Sequence, residues 1–181
     1  MTCHIAYLID DSIIVPDFES SRRLYSKSFY GTPIGVKKPK RADFNAPLKL
    51  SLIEALYLVE KGELKVVDMQ GKALDIDELR RIALKSENEY IIYQIYKDLR
   101  EKELIVRSGL KYGGAFTVYR IGPGLEHAPY IVHIYRRDEN LDPIEIIRAG
   151  RVGHSVRKTF TLAFLARDGK PIYIMFKWVK L

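Results

Sequence analysis

At Leu104 the hydrophobic period of the chain changes, and this switch constrains the fold more than any other feature. Before it, apolar residues recur at helical spacing; after it, they alternate. The helical pattern is clearest over 87–102, where Tyr90, Ile91, Ile95 and Leu99 fall on one face. Two shorter helices are announced by capping boxes, in which a serine or aspartate oxygen takes an orphan backbone N–H and a glutamate three residues on reaches back. Ser51 and Glu54 open a helix to about Lys61, with Leu52, Ala55, Leu56 and Val59 on its apolar face and Gly62 beyond it. Asp75 and Glu78 open another, to about Lys85. Ahead of these, residues 5–8 and 13–15 flank the turn cluster Asp10-Asp11-Ser12 and read as a hairpin, followed by a helix over 20–28 and a loop over 31–47.

Past the switch, residues 104–107, 115–120, 129–135, 159–166 and 171–179 read as strands. Between the third and fourth, Asp142 as N-cap, Pro143 at the first helical position and Glu145 in the first turn predict a helix that weakens at Gly150 and Gly153. The expected fold class is α+β, with a small helix-plus-sheet N-terminal domain over 1–86 followed by a mixed-sheet α/β domain over 87–181. In the last strand Ile172, Ile174, Phe176 and Trp178 share a face. An apolar terminal strand needs a cover, either a second copy of the chain or its own core, and both solutions stand.

The 181 residues are 47% hydrophobic and 29% charged, enough for a buried core and too apolar for wholesale disorder. No apolar run nears the eighteen or so residues of a membrane span, and the first residues carry no basic region or cleavage site, which predicts a cytoplasmic protein without a membrane. Cys3 is the only cysteine, and His4, His127, His133 and His154 form no HExxH or HxH spacing, so no disulfide, metal or cofactor is expected. The net charge of +7 favours a polyanionic partner. It is uneven: residues 1–85 hold 14 Lys and Arg against 12 Asp and Glu, residues 86–181 hold 16 against 11. The second half is therefore the expected seat of nucleic-acid contact. Asparagine and glutamine are scarce beside Lys, Arg and Glu, a balance that fits a thermophile.

Three segments of that half concentrate functional side chains. Residues 109–120 carry the glycines Gly109, Gly113 and Gly114 without either phosphate-loop pattern, so they read as a tight turn into a strand that ends at Tyr119. Gly122, Pro123, Gly124 and Pro129 bracket a loop around His127, a group suited to proton transfer near neutrality. Arg148, Arg151, His154, Arg157 and Lys158 fall within eleven residues. Helical spacing puts Arg148 and Arg151 on one side, where they could face a phosphate backbone or simply complement a helix C-terminus. A metal-nuclease alternative rests on Glu63-Leu64-Lys65, which follows a glycine turn and lacks the preceding Pro-Asp strand.

Taken in order, several blocks resemble archaeal tRNA-splicing endonucleases over nearly the whole chain. Residues 24–31 and 52–62 are similar to that family's amino-terminal half, and residues 96–102 leading to 109–113 to its helix-to-sheet junction. His127-Ala128-Pro129-Tyr130-Ile131-Val132 and Arg151-Val152-Gly153-His154-Ser155-Val156-Arg157-Lys158 are similar to its two catalytic blocks. The resemblance implies a nuclease second domain that excises introns from precursor tRNA at bulge-helix-bulge sites without metal, leaving 2′,3′-cyclic phosphate and 5′-hydroxyl ends. It implies Tyr119 as general base, His127 as general acid and Lys158 as stabiliser of the transition state. Tyrosine at its ordinary pKa of about 10 needs help to ionise, and Lys158 would supply it.

The resemblance further implies a pair of side chains gripping a flipped bulge base. Arg151 matches one, with Arg148 beside it. Trp178 is the nearest match to the other, and indole stacks on bases as guanidinium does. Trp178 also lies on the apolar face of the terminal strand, so both roles stand. Implied assemblies are a homo-oligomer (a dimer through the C-terminal strand, or a tetramer) or a heterotetramer with a structural subunit. The family's acidic docking loop falls on residues 166–171, where Asp168 is the only acid, beside Arg167 and Lys170. The rival function is a non-catalytic RNA-binding or scaffolding subunit of the same complex, which the presence of Tyr119, His127 and Lys158 together disfavours.

Overall fold

A computed structural model of the chain describes residues 3–37, 39 and 41–176. The polypeptide divides at Lys85 into two compact units, residues 1–85 and 86–181.

In the first unit, β1 (His4–Ile9) turns at Asp10, which takes a left-handed φ of 51°, into β2 (Ser12–Val15), the antiparallel hairpin read from the sequence. The helix that follows, α1 (Phe18–Ser28), starts two residues early because Asp17 accepts from the Ser20 N–H and so caps it. The stretch read as loop contains a short strand, β3 (Thr32–Pro33), which pairs with β4 (Leu48–Leu50). Both capping boxes form, on α2 (Leu52–Glu60) and α3 (Ile76–Ala83). Between them β5 (Leu64–Val67) lies parallel to β1.

The sheet order is β3-β4-β2-β1-β5. The first half is thus built around a five-stranded sheet of which the sequence revealed only the hairpin. β3, β4 and β5 have two to four residues each, too few for alternation to register. Ala6, Ile13, Val15, Leu48, Leu50 and Val66 of the strands are buried with Leu24, Ala55, Leu56 and Leu58 of the helices. On α2 the fully buried set is Ala55, Leu56, Tyr57 and Leu58; Leu52 and Val59 are only half-buried, because α2 is enclosed by α3 as well as by β2 and β5.

The second unit opens with α4 (Glu87–Glu101), capped by Ser86. Ile91, Ile95 and Leu99 are buried as their spacing implies, together with Tyr93, Tyr96 and Arg100. Tyr90 is 47% exposed, because it lies in the first turn, at the rim of the face that α4 turns to the sheet. The strands are β6 (Ile105–Ser108), β7 (Phe116–Tyr119), β8 (Tyr130–Ile134), β9 (Thr159–Leu165) and β10 (Pro171–Phe176), in the order β10-β9-β8-β7-β6. All neighbours are antiparallel except β8 and β9, which are parallel and joined by the crossover helix α5 (Pro143–Ser155). α5 runs straight through Gly150 and Gly153 instead of weakening there. The glycine at 153 is needed: a Cβ on it would sit 2.9 Å from the Lys158 carbonyl oxygen.

The edge strand β10 keeps its apolar residues in the open within this chain. Ile172, Ile174 and Met175 are exposed, and so is Phe176 although its ring packs on Phe160. Trp178 lies outside the described residues. Among the described residues no helix is long and apolar enough to cross a membrane.

Candidate active site

Three central strands of the second sheet bring Tyr119 and Lys158 to one end of the sheet. In β7 and β8, Val118 pairs with Tyr130; in β8 and β9, Tyr130 pairs with Thr159. One step along that register, Tyr119 and Lys158 flank Pro129, whose carbonyl accepts the Thr159 N–H at 2.7 Å. Because side chains alternate along strands, Tyr119 and Lys158 project from the same face, the one that also carries Thr117, Ile131 and Phe160 and is covered by α5.

His127 is displayed by the loop between β7 and β8. Glu126 folds that loop on itself: its Oε1 accepts the Ile121 N–H at 2.6 Å and the Arg120 N–H as well. On the other side Ala128 is buried, and its carbonyl oxygen receives the Lys158 ammonium at 2.8 Å. His127 itself is exposed, held between two anchored neighbours.

Lys158 is delivered by the end of α5. The Lys158 N–H bonds to the Gly153 carbonyl at 2.7 Å and the Arg157 N–H to the His154 carbonyl at 3.0 Å, the paired bonds of a Schellman ending. Arg157 takes the left-handed φ of 55° that this ending requires. The helix therefore ends at Ser155, Val156 and Arg157 turn the chain, and Lys158 leads directly into β9. The Lys158 Nζ also lies 5.1 Å from the centre of the Tyr112 ring. Burial pulls the Lys158 pKa below the ordinary lysine range, and the like charge of Lys111 adds to the pull.

Tyr119 departs from the sequence-based expectation. Its phenol is pushed above the ordinary tyrosine range, chiefly by burial. A hydrogen bond with Thr117 and the charge of Arg107 oppose that push, while Tyr112 and Glu126 reinforce it. The cation helping the phenolate is thus Arg107; Lys158 spends its contacts on Ala128 and Tyr112.

Arg148 and Arg151 are both exposed on α5, three residues apart and hence on one side of the helix whose last turn presents Lys158. A cleft of about 630 Å³ beside α5 is lined by both apolar (Ile147, Phe160, Phe176) and basic (His154, Arg157, Lys158) side chains, and by neither Arg148 nor Arg151. Glu63, the carboxylate of the metal-nuclease alternative, is in the first unit and ion-paired with Lys27 at 2.6 Å. Sequence reasoning gave Tyr112 and Glu126 no role and read Gly153 only as a point where the helix weakens. For Gly153 the need is tertiary, the Lys158 carbonyl at 2.9 Å from a Cβ there, and no sequence signal marks it; for Tyr112 there was none beyond a turn.

In comparison with known proteins, the two halves match two separate family models. Residues 5–80 match the family model described as tRNA intron endonuclease, N-terminal domain, and residues 90–174 match tRNA intron endonuclease, catalytic C-terminal domain. A protein of Hyperthermus butylicus named tRNA-splicing endonuclease is 49% identical over 177 residues, 97% of this chain and 98% of that one. Proteins of the same name from Saccharolobus islandicus and Saccharolobus solfataricus are 48% and 49% identical over 179 residues, again 97% of this chain and 98% of each relative. These hosts are archaea, thermophiles among them. With both halves matched in order and relatives nearly half identical almost end to end, the chain belongs to the tRNA intron endonuclease family.

Proposed function

We propose that this endonuclease excises introns from precursor tRNA at bulge-helix-bulge sites by a metal-independent transesterification. The 2′-hydroxyl oxygen of the nucleotide before the cut attacks the adjacent phosphorus, and the bond from phosphorus to the 5′-oxygen breaks. Tyr119, as phenolate, takes the 2′ proton; His127, protonated, gives one to the departing 5′-oxygen. Lys158 offsets the charge that builds on the phosphoryl oxygens. One strand ends in a 2′,3′-cyclic phosphate and the other in a 5′-hydroxyl, with no water consumed.

The observation that carries this reading is the register of β7, β8 and β9, which sets Tyr119 and Lys158 on one face around Pro129, two residues from His127. The raised pKa of Tyr119 makes its anion scarce at neutral pH but strongly basic when formed. Arg151 and Arg148 are the expected contacts to the bulged strand. The exposed apolar edge of β10 is the expected seam of a dimer, either between two copies or with a structural subunit.

The test is cleavage of bulge-helix-bulge RNA by the purified chain in EDTA, reading the new ends. Cyclic phosphate and 5′-hydroxyl ends support the mechanism. A chain that cuts only after a divalent cation is restored, or that leaves 5′-phosphates, refutes it.

A further inference from the structure

Residues 109–114 form a turn that is locked in place yet contributes little to the core. The Tyr112 N–H bonds to the Gly109 carbonyl at 2.8 Å, and the Gly113 and Gly114 N–H groups close on Leu110 and Gly109. Only glycine fits at two of its corners. A Cβ on Gly109 would lie 2.7 Å from the Phe116 carbonyl carbon, and one on Gly114 would lie 2.6 Å from the Ile131 Cγ2. The turn is thus pressed onto β7 and β8 at backbone distance. None of its three 3-10 residues, Leu110–Tyr112, is fully buried, and Leu110 is 84% exposed. A segment anchored this firmly without feeding the core is holding something else.

What it holds is a ring beside a cation. The Tyr112 ring centre lies 5.1 Å from the Lys158 Nζ and 5.7 Å from the Lys111 Nζ, within the range where the negative face of an aromatic ring attracts an ammonium. Lys158 is pinned from another direction by the Ala128 carbonyl at 2.8 Å. An ammonium has three N–H groups; a carbonyl and a ring face occupy two directions and leave one for a phosphoryl oxygen. The ring also offsets the repulsion between Lys111 and Lys158, so that both charges persist near the same spot.

We propose that Tyr112 is a positioning residue for RNA cleavage, its ring holding the Lys158 ammonium charged and aimed at the scissile phosphate. The inference rests on the reading of Lys158 as the group that stabilises the transition state. The ring does the work, and the phenol oxygen is dispensable.

Single-turnover cleavage of bulge-helix-bulge RNA by the purified, assembled protein tests it, with RNA affinity measured in parallel. Tyr112→Phe should stay within about twofold of the parent, whereas Tyr112→Leu should cleave about 3- to 30-fold more slowly at unchanged affinity. Its alkaline limb should move to lower pH, because Lys158 loses its proton more readily without the ring. In a Lys158→Ala background, Tyr112→Leu should cost nothing further. Full activity of Tyr112→Leu, or the same fold loss measured on the residual activity of Lys158→Ala, overturns the inference, while a Lys158→Ala far slower than the parent leaves the mechanism intact. If Lys158→Ala itself cleaves normally, the mechanism fails first and the role of Tyr112 falls with it.

Discussion

The Lys158 ammonium donates to the carbonyl oxygen of Ala128 at 2.8 Å, tying the last residue of the segment 151–158 to the second residue of the segment 127–132. The two residues are thirty positions apart in sequence and adjacent because β8 and β9 run parallel. Ala128 follows His127 directly, so the lysine and the histidine loop are positioned as one unit. Disturbing either segment should therefore be felt in the other.

His127→Ala should slow cleavage of ordinary RNA by about 10²- to 10⁴-fold, the usual contribution of a general acid, with RNA affinity unchanged. Substituting sulfur for the 5′-oxygen at the cut supplies a leaving group that needs no proton. The variant should recover most of its rate on that substrate. A variant equally slow on both substrates would remove His127 from the departure step.

On the same sulfur-containing substrate the pH profile should report Tyr119. Burial raises the phenol above its ordinary range, so the phenolate remains a minor species throughout neutral and mildly alkaline solution. The rate should climb about tenfold per pH unit between about pH 7 and 9, as for any base titrating above that window. Lys158, pulled below its ordinary range, should impose the decline on the alkaline side. Tyr119→Phe should flatten the climb, and a climb that persists would assign the base elsewhere.

Arg151→Ala should weaken binding to bulged RNA more than to a plain duplex, whereas Arg148→Ala should weaken both alike and reduce the salt dependence of binding. Titrations of the two RNAs at several salt concentrations separate these outcomes. Equal losses for Arg151→Ala would make it a phosphate contact only.

The two glycines of α5 should respond to alanine with opposite signs. Nothing lies within 4 Å of a Cβ at Gly150, so Gly150→Ala should stabilise by about 0.5–1 kcal/mol through helix propensity. A Cβ at Gly153 meets the Lys158 carbonyl oxygen at 2.9 Å and crowds Phe160. Gly153→Ala should therefore destabilise, by about 1–3 kcal/mol, and slow cleavage by displacing Lys158. Thermal melts of the two variants beside cleavage assays check both signs.

Local chemistry made much of this protein legible. Capping signals at Ser51, Asp75 and Asp142 depend on neighbours within four residues and mark three helix starts, while the caps Asp17 and Ser86, of the same chemistry, emerge only in the structure. The strands of the second half carry enough alternating residues for their period to be read. Tyr119, His127, Arg151 and Lys158 could be picked out because their types and order within the blocks are properties of the string.

Distance across the sheet was not in the string. The short strands β3, β4 and β5 take their conformation from partners such as β1 and β2, so no local pattern marks them. A lysine beside Tyr119 would favour its anion, but in the structure burial, the larger effect, raises the phenol, and the lysine points to Ala128 and Tyr112. Which residues a helix conceals, which carbonyl receives an ammonium and which ring lies beside it depend on elements that pack from far along the chain. Sequence determined what groups were available and where each element begins; tertiary packing decided which of them meet.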